Sequence, residues 1–341
     1  MTGVLAFVAS RALDLPIRDP EGFLGPSWLR LPLLILVAFL GDVVPRSAWR
    51  ARRRPGEFVA RAREIVDEHW TRERIVLLVI GLGSFYVTYI GYRNLKSYLP
   101  FIREGRLQDQ LLKGIDRALF FGGDPAIFLH QLLGEGISAH VLSFVYLIFL
   151  PFVPISLTAW LVWSRNISFG YWYATSLCLC WAMGTASYYA IPSLGPAFAS
   201  PWLYADLDNT AVASLVDGLS YSRTDALLVD PLMDLQSVAG FASLHVAIVL
   251  CATLVAHYTV RHAWIRWSMW VYFPLTVVST VYFGWHYIAD DVGGIVIGLL
   301  AVWLGGLATG QKFERHGRSS HPTTSTTDVP VEQESSDASL S

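Results

Sequence analysis

Apolar runs close to the width of a bilayer recur along most of the chain, and they constrain its fold more than any other feature. They lie at about 28–44, 74–92, 137–163, 168–191, 241–260, 264–284 and 288–309. A helix needs ~20 predominantly apolar residues to cross a hydrocarbon core, and in lipid a spanning segment must satisfy its own backbone. The composition agrees, with only 15% charged residues against about 25% in soluble domains. The sequence therefore predicts an all-α polytopic membrane bundle of about six to seven transmembrane helices. Gly41 and Asp42 shorten the first run, and no internal repeat is evident.

Between the second and third runs, "LQDQLLKGIDRALFFGGDPAIFLHQLLGE" mixes charged and apolar residues at helical spacing. This pattern predicts interfacial amphipathic helices rather than a further span. The N-terminal "GVLAFVA" is short, lacks a preceding basic residue and is followed by Arg11, so it reads as an interfacial segment rather than a signal peptide. From Glu314 onward the chain is polar and rich in Ser and Thr, which predicts a disordered tail. The expected organisation is an N-terminal span with an Arg-rich segment (1–73), a transmembrane catalytic domain (74–312) and the tail (313–341). Cys178, Cys180 and Cys251 all sit within apolar runs and read as core residues, not as a disulfide or metal framework.

The basic residues set an expected sidedness. Arg46, Arg50, Arg52, Arg53, Arg54, Arg61, Arg63, Arg72 and Arg74 follow the first run, and positive loops stay cytoplasmic. Alternation then puts Arg165, Arg261, Arg266, Lys312, Arg315 and Arg318 on that same side. The segment 93–136, the loop 192–239 and the loop holding His286 share the opposite face. Because the arginines follow topology instead of forming one basic face, no nucleic-acid partner is expected. The expected location is the plasma membrane, with the site on the extracytoplasmic face.

Three polar elements meet on that face. In "HYIAD", His286 and Asp290 are four residues apart, a spacing that puts both on one helical face. A carboxylate at one imidazole nitrogen fixes the tautomer and leaves the other free to attack an electrophile. Asp291 leaves the helix about 100° away and is the weaker partner. The plainer alternative is a polar helix start capped by either aspartate. In "GFASLHVAIVL", Ser243 and His245 open an apolar run. Ser243 suits a helix cap whose amides favour an anion, and His245 suits a proton donor; an ordinary interfacial histidine is the alternative. In "YRNLKSYLPFIREGR", Arg93 and Lys96 could share one face and bind phosphate, whereas Arg103 and Arg106 read as snorkelling to lipid headgroups. The set suits phosphoryl transfer through a phosphohistidine. Adjacent aspartates on a helix diverge, so no metal site and no cofactor is expected.

The pairing of "ASLH" with "STVYFGWHYIADDVGG" resembles the type 2 phosphatidic acid phosphatase superfamily, over roughly residues 80–309, and most closely its inositol phosphorylceramide synthase branch. The resemblance implies a nucleophilic His286, an orienting Asp290, a general acid His245 and a phosphate-contacting Ser243. Ala242 stands where that family usually has Pro, and Thr280 where many of its phosphatases have Arg. Lys96 and Arg103 have the seven-residue spacing of the family's first motif, but Glu104 follows where Pro is expected, which favours Arg93 and Lys96 as the clamp. The implied activity is cleavage of a lipid phosphate ester or pyrophosphate. The phosphoryl or phospho-headgroup passes to water or to an alcohol such as inositol or a sugar, with the 192–239 loop as a possible acceptor pocket or a structural lid. A non-enzymatic lipid-binding protein or transporter that kept the fold is the rival reading.

Overall fold

The computed structural model describes residues 1–19, 27–103, 107–164, 166–228, 240–312 and 323–324. Among them the chain is almost wholly helical: α1 (Thr2–Leu13), α2 (Ser27–Arg50), α3 (Phe58–His69), α4 (Arg72–Arg103), α5 (Asp109–Leu119), α6 (Pro125–Leu133) and α7 (Ile137–Trp163). There follow α8 (Ile167–Ala190), α9 (Pro196–Ala199), α10 (Ala211–Leu228), α11 (Leu244–Thr259), α12 (Ala263–Tyr282) and α13 (Ile288–Ala308). Arg106, Arg165, Arg315 and Arg318 lie outside the described residues. So does the tail from Glu314 apart from Thr323–Thr324, which pair antiparallel with Gln311–Lys312.

Helices stand at all seven expected positions, but only four are long and apolar enough to cross a membrane: Pro32–Arg50 within α2, then α4, α7 and α13. The expected count of six to seven spans is therefore not shown by helix length and apolarity. The physical reason lies in length and packing. The 16-residue α11 is enclosed by α8, α12 and α13, with Val246, Ala247, Ile248, Val249, Cys251, Ala252, Val255 and Ala256 fully buried. It is apolar, and its length of 16 residues rather than its composition leaves it short of a bilayer's width. Helix α8 carries Tyr173, Ser176, Trp181, Thr185 and Tyr188 buried against its neighbours.

Close helix packing replaces the hydrophobic effect where lipid is the solvent, and small residues at the contacts permit it. Gly294 and Gly298 of α13 face α11; a Cβ on Gly294 would collide with the Ser243 carbonyl, and one on Gly298 would come within 2.8 Å of the Ala247 carbonyl. The Arg-rich segment folds into α3, which packs on α2. Its charges are paired: Arg50 with Glu68 at 2.9 Å and Arg61 with both Glu57 and Glu64. Arg74 at the start of α4 donates to the carbonyls of Val162 and Ser164 at the end of α7, so those two helix ends meet. At the other end of the bundle, Tyr189 of α8 donates to Leu95 O of α4 at 2.6 Å. Helices α11 and α13 begin at this end.

Candidate active site

The N-termini of α11 and α13 are joined directly. The amide of Ser243 donates to the main-chain carbonyl of Asp290 at 2.9 Å. The approach to α11 is pinned by two serines: Ser187 Oγ accepts from Ala242 N–H at 2.9 Å, and Ser193 Oγ accepts from Phe241 N–H at 3.1 Å. Thus His245 and His286, forty-one residues apart in sequence, sit on two helix starts held in one register.

Helix α13 opens with a capping box. Asp290 Oδ2 accepts from Tyr287 N–H at 2.9 Å and also lies 3.4 Å from His286 Nδ1. One carboxylate oxygen serves both the helix cap and the imidazole, so the two alternatives weighed for Asp290 coincide. The 3.4 Å approach is an ion-pair distance rather than a hydrogen bond. With Nδ1 turned toward the carboxylate, Nε2 is the nitrogen left for other chemistry. Asp290 is fully buried and His286 nearly so. Asp291 Oδ2 accepts from Thr280 Oγ1 on α12 at 3.0 Å, and its carboxylate also lies near enough to His286 and Ser243 to interact with both. Thr280 is fully buried in that contact.

His245 stands on the first turn of α11, 6.5 Å from His286 between ring centroids. Its ring lies against Phe149 at 4.0 Å and stacks on Tyr146 at 4.4 Å. Tyr146 in turn stacks on Trp285 at 5.4 Å. This aromatic column fixes the His245 ring, and the sequence analysis missed it because Tyr146 and Phe149 look like any aromatics of an apolar run. His245 Nε2 and Ser243 Oγ are both buried without a hydrogen-bond partner among the described residues. Ser243 occupies the N-cap position, as expected, yet its side chain makes no cap bond. Buried polar groups are rarely left unmet, so His245 Nε2 is open to a ligand, whereas Ser243 Oγ also lies within reach of the Asp291 carboxylate.

The cations divide differently from the expectation. Lys96 lies close enough for its charge to act on His245. Arg93 makes no side-chain hydrogen bond or ion pair among the described residues, and nothing joins it to the site. Arg103, two turns beyond Lys96 on the same face of α4, has a buried Nε with no partner among the described residues. Arg103 has the seven-residue spacing from Lys96 noted in the sequence.

Two further acids were not anticipated. Asp109 Oδ1 accepts from the amide of Gly195 at 3.0 Å and from Tyr287 Oη at 3.1 Å, and both its oxygens face the amide of Leu194. Asp116 Oδ2 accepts from Ile288 N–H at 3.1 Å. Burial pushes the carboxyl of Asp116 up to about 6, against the pull of the Ile288 and Ala289 amides. Burial likewise raises that of Asp109. Among the described residues no group of three or more His, Cys, Asp or Glu is arranged to hold a metal ion.

A helical membrane bundle with two histidines and a carboxylate gathered at two joined helix starts defines an integral membrane protein with a site suited to phosphate groups. The family model of the PAP2 superfamily matches residues 110–304. That is more than half of the chain, and the chain belongs to this superfamily. Membership points to phosphatase or phosphotransferase chemistry on phosphate esters. The match begins after α4, so Lys96 and Arg103 lie outside it. No curated protein and no solved structure gave a match.

Proposed function

We propose that the protein is a metal-independent membrane enzyme that cleaves a lipid phosphate ester or pyrophosphate through a phosphohistidine at His286. The observation that carries this reading is His286 Nδ1 held 3.4 Å from the buried Asp290, with His245 facing the same space. In this mechanism Nε2 of His286 attacks phosphorus in line. Asp290 holds the ring and stabilises its positive charge. His245 gives a proton to the departing oxygen. Lys96 and Arg103, with Ser243 Oγ and the first amides of α11, bind the phosphoryl oxygens and supply the positive charge that a metal would otherwise bring. A second nucleophile then takes the phosphoryl group from His286.

If that nucleophile is water, the enzyme is a phosphatase. If it is a polyol or sugar hydroxyl, it is a phosphotransferase, as in the inositol phosphorylceramide synthase branch that the sequence resembles. In this reading α8, α11 and α12 also cross the bilayer, giving six to seven spans. The site opens on the extracytoplasmic face of the plasma membrane. The lipid enters sideways, with its phosphate at the mouth.

The test is to incubate the purified protein with lipid phosphates and pyrophosphates carrying labelled phosphorus, then quench at alkaline pH, where phosphohistidine survives. Acid-labile label on wild type, absent from His286→Ala and unaffected by EDTA, is the expected result. Loss of turnover on chelation, restored by magnesium or manganese, would replace the phosphohistidine with a metal at Asp290 and Asp291. No label and no phosphate release across a broad panel would favour a binding or transport protein.

A further inference from the structure

The α5 helix carries three different faces. At 100° per residue, Asp109, Leu112 and Asp116 fall on one face, and all three are buried against the protein. About 90° around the helix, by the same geometry, lie Leu111, Ile115 and Leu119, which are 57%, 39% and 56% exposed. Lys113, Gln110 and Arg117 lie roughly opposite that apolar stripe. Lys113 reaches Ser200 Oγ at 2.9 Å. Phe121, just past the end of α5, is fully exposed, and Phe128 on α6 is 53% exposed.

A helix with protein at its side, a bare apolar stripe on one edge and charges on the other has the layout of a helix lying flat in a membrane interface. The connectivity supplies the occupant. Helices α5 and α6 run between α4 and α7, both of which are long and apolar enough to cross a membrane. At the adjoining start of α7, Ile137 and Val141 are 85% and 56% exposed. The stripe therefore continues a lipid-facing surface.

The buried face of α5 reaches the reacting groups. Asp116 holds the amide of Ile288, the first residue of α13, and Asp109 holds Leu194, Gly195 and Tyr287. Gly195, with φ of 94°, passes so close to the Trp285 carbonyl that a Cβ there would collide with it. The next link is the amide of Ala197 on the Gly284 carbonyl at 2.8 Å. Both segments that flank His286 thus hang from α5. We propose that α5 couples the lipid surface to the catalytic loop: its apolar edge is seated in the acyl–headgroup boundary, and that seating holds Asp109 and Asp116 where they fix the start of α13. The two aspartates are positioning residues. Their role at His286 rests on the function proposed above, whereas the seating of α5 and its grip on Ile288 do not.

Amide exchange can read the grip without any turnover. The first amides of a helix have no intrahelical partner, so protection at Ile288 reports the Asp116 bond. The full chain is placed in phosphatidylcholine nanodiscs. Asp116→Ala should speed exchange at 288–289 by about tenfold or more, a local opening, while Asp116→Asn, which keeps an acceptor oxygen, restores most of it. Leu111→Ser with Leu119→Ser, which touches neither aspartate, should speed exchange at 194–195 and 288–289 together and leave α11 unchanged. A fluorophore on Ile115→Cys, with the three native cysteines replaced by Ala, should be quenched by nitroxide lipids as strongly as one on the exposed Phe144 of α7. Wild-type exchange in the double variant overturns the coupling. Absence of quenching at 115 overturns the seating. If the double variant loosens the whole bundle, Leu119→Ser alone decides, on the same criterion. A protein that never releases phosphate but meets these outcomes keeps the coupling and loses only the enzymatic reading.

Discussion

At the scale of single residues, the site rests on which polar atoms are committed and which are left over. His286→Ala should abolish turnover while the protein keeps its helical content, although its thermal midpoint should fall, because the buried ring is the partner of the buried Asp290. Asp290→Asn should be severe but incomplete, since the imidazole remains. It keeps an oxygen for the Tyr287 cap and loses the charge beside Nδ1. Asp291→Asn should be much milder, because Asp291 faces Thr280 and an amide oxygen can still accept there. His245→Ala should cost about 10²–10⁴ in kcat, and less on a pyrophosphate. Steady-state rates on one substrate check the order, which fails if Asp291→Asn is worse than Asp290→Asn. The cations give a second comparison. Arg103→Ala should lower kcat/KM by roughly tenfold or more, about 1.4 kcal/mol at the transition state, whereas Arg93→Ala should stay within about twofold. The reverse ranking would return the clamp to Arg93.

At the scale of elements, the contact between α11 and α13 carries the geometry. Gly294→Val must push the Ser243 carbonyl away and so separate the two histidines. Both a lower thermal midpoint and a fall in kcat are expected, from one substitution that touches no reacting group. A fall in stability with unchanged kcat would show that the two helix starts need no fixed register. The bond from α5 to α13 gives a pH dependence. The carboxyl of Asp116 titrates near 6 in the fold and near 3.9 when unfolded, so the protonated form is the one the fold favours. Its stabilising contribution is complete below about pH 4 and is lost as pH rises through 6. Across that window wild type should lose on the order of 1–3 kcal/mol relative to Asp116→Asn, which does not titrate. Chemical denaturation in the same detergent at pH 4.5 and pH 7 measures it. A parallel pH response in both proteins would assign the effect to another group.

At the scale of the whole molecule, the sequence predicts that the Arg-rich segment at 46–74 and the loop holding His286 lie on opposite sides. Single cysteines at Arg53 and Trp202, in intact cells treated with an impermeant thiol reagent, check this. Trp202 is 68% exposed and should label, while Arg53 should label only after the membrane is opened. The opposite result would reverse the orientation. Much of the molecule was legible because two signals are local in sequence. Apolar runs marked helices at seven positions, and the four-residue spacing signalled that His286 and Asp290 meet, although His286 stands just before the cap of α13 rather than on its face. What stayed hidden was set by neighbours. Whether α8 needs lipid-grade hydropathy depends on what encloses it, and where α11 begins and ends is set by its neighbours. Arg103 differs from Arg93 by its face of α4 and by its place along the helix, about three turns further on. Asp109 and Asp116 stand seven residues apart, a readable pairing, but nothing local shows that their partners are Gly195 and Ile288.

The weld between α11 and α13 is made by main chain, from Ser243 N–H to the Asp290 carbonyl, and by the absence of a side chain at Gly294. Among the described residues, the connection between α8 and α11 meets that weld at Ser193 and Phe241. Part of that connection is packed as well: Tyr204 lies directly against Gly284, and Val212, Val216 and Leu219 join Tyr146, Tyr282 and Trp285 in one apolar cluster. Rewriting that insert is therefore felt at Trp285 and Gly284, one and two residues from His286, so acceptor choice and reacting centre have to change together.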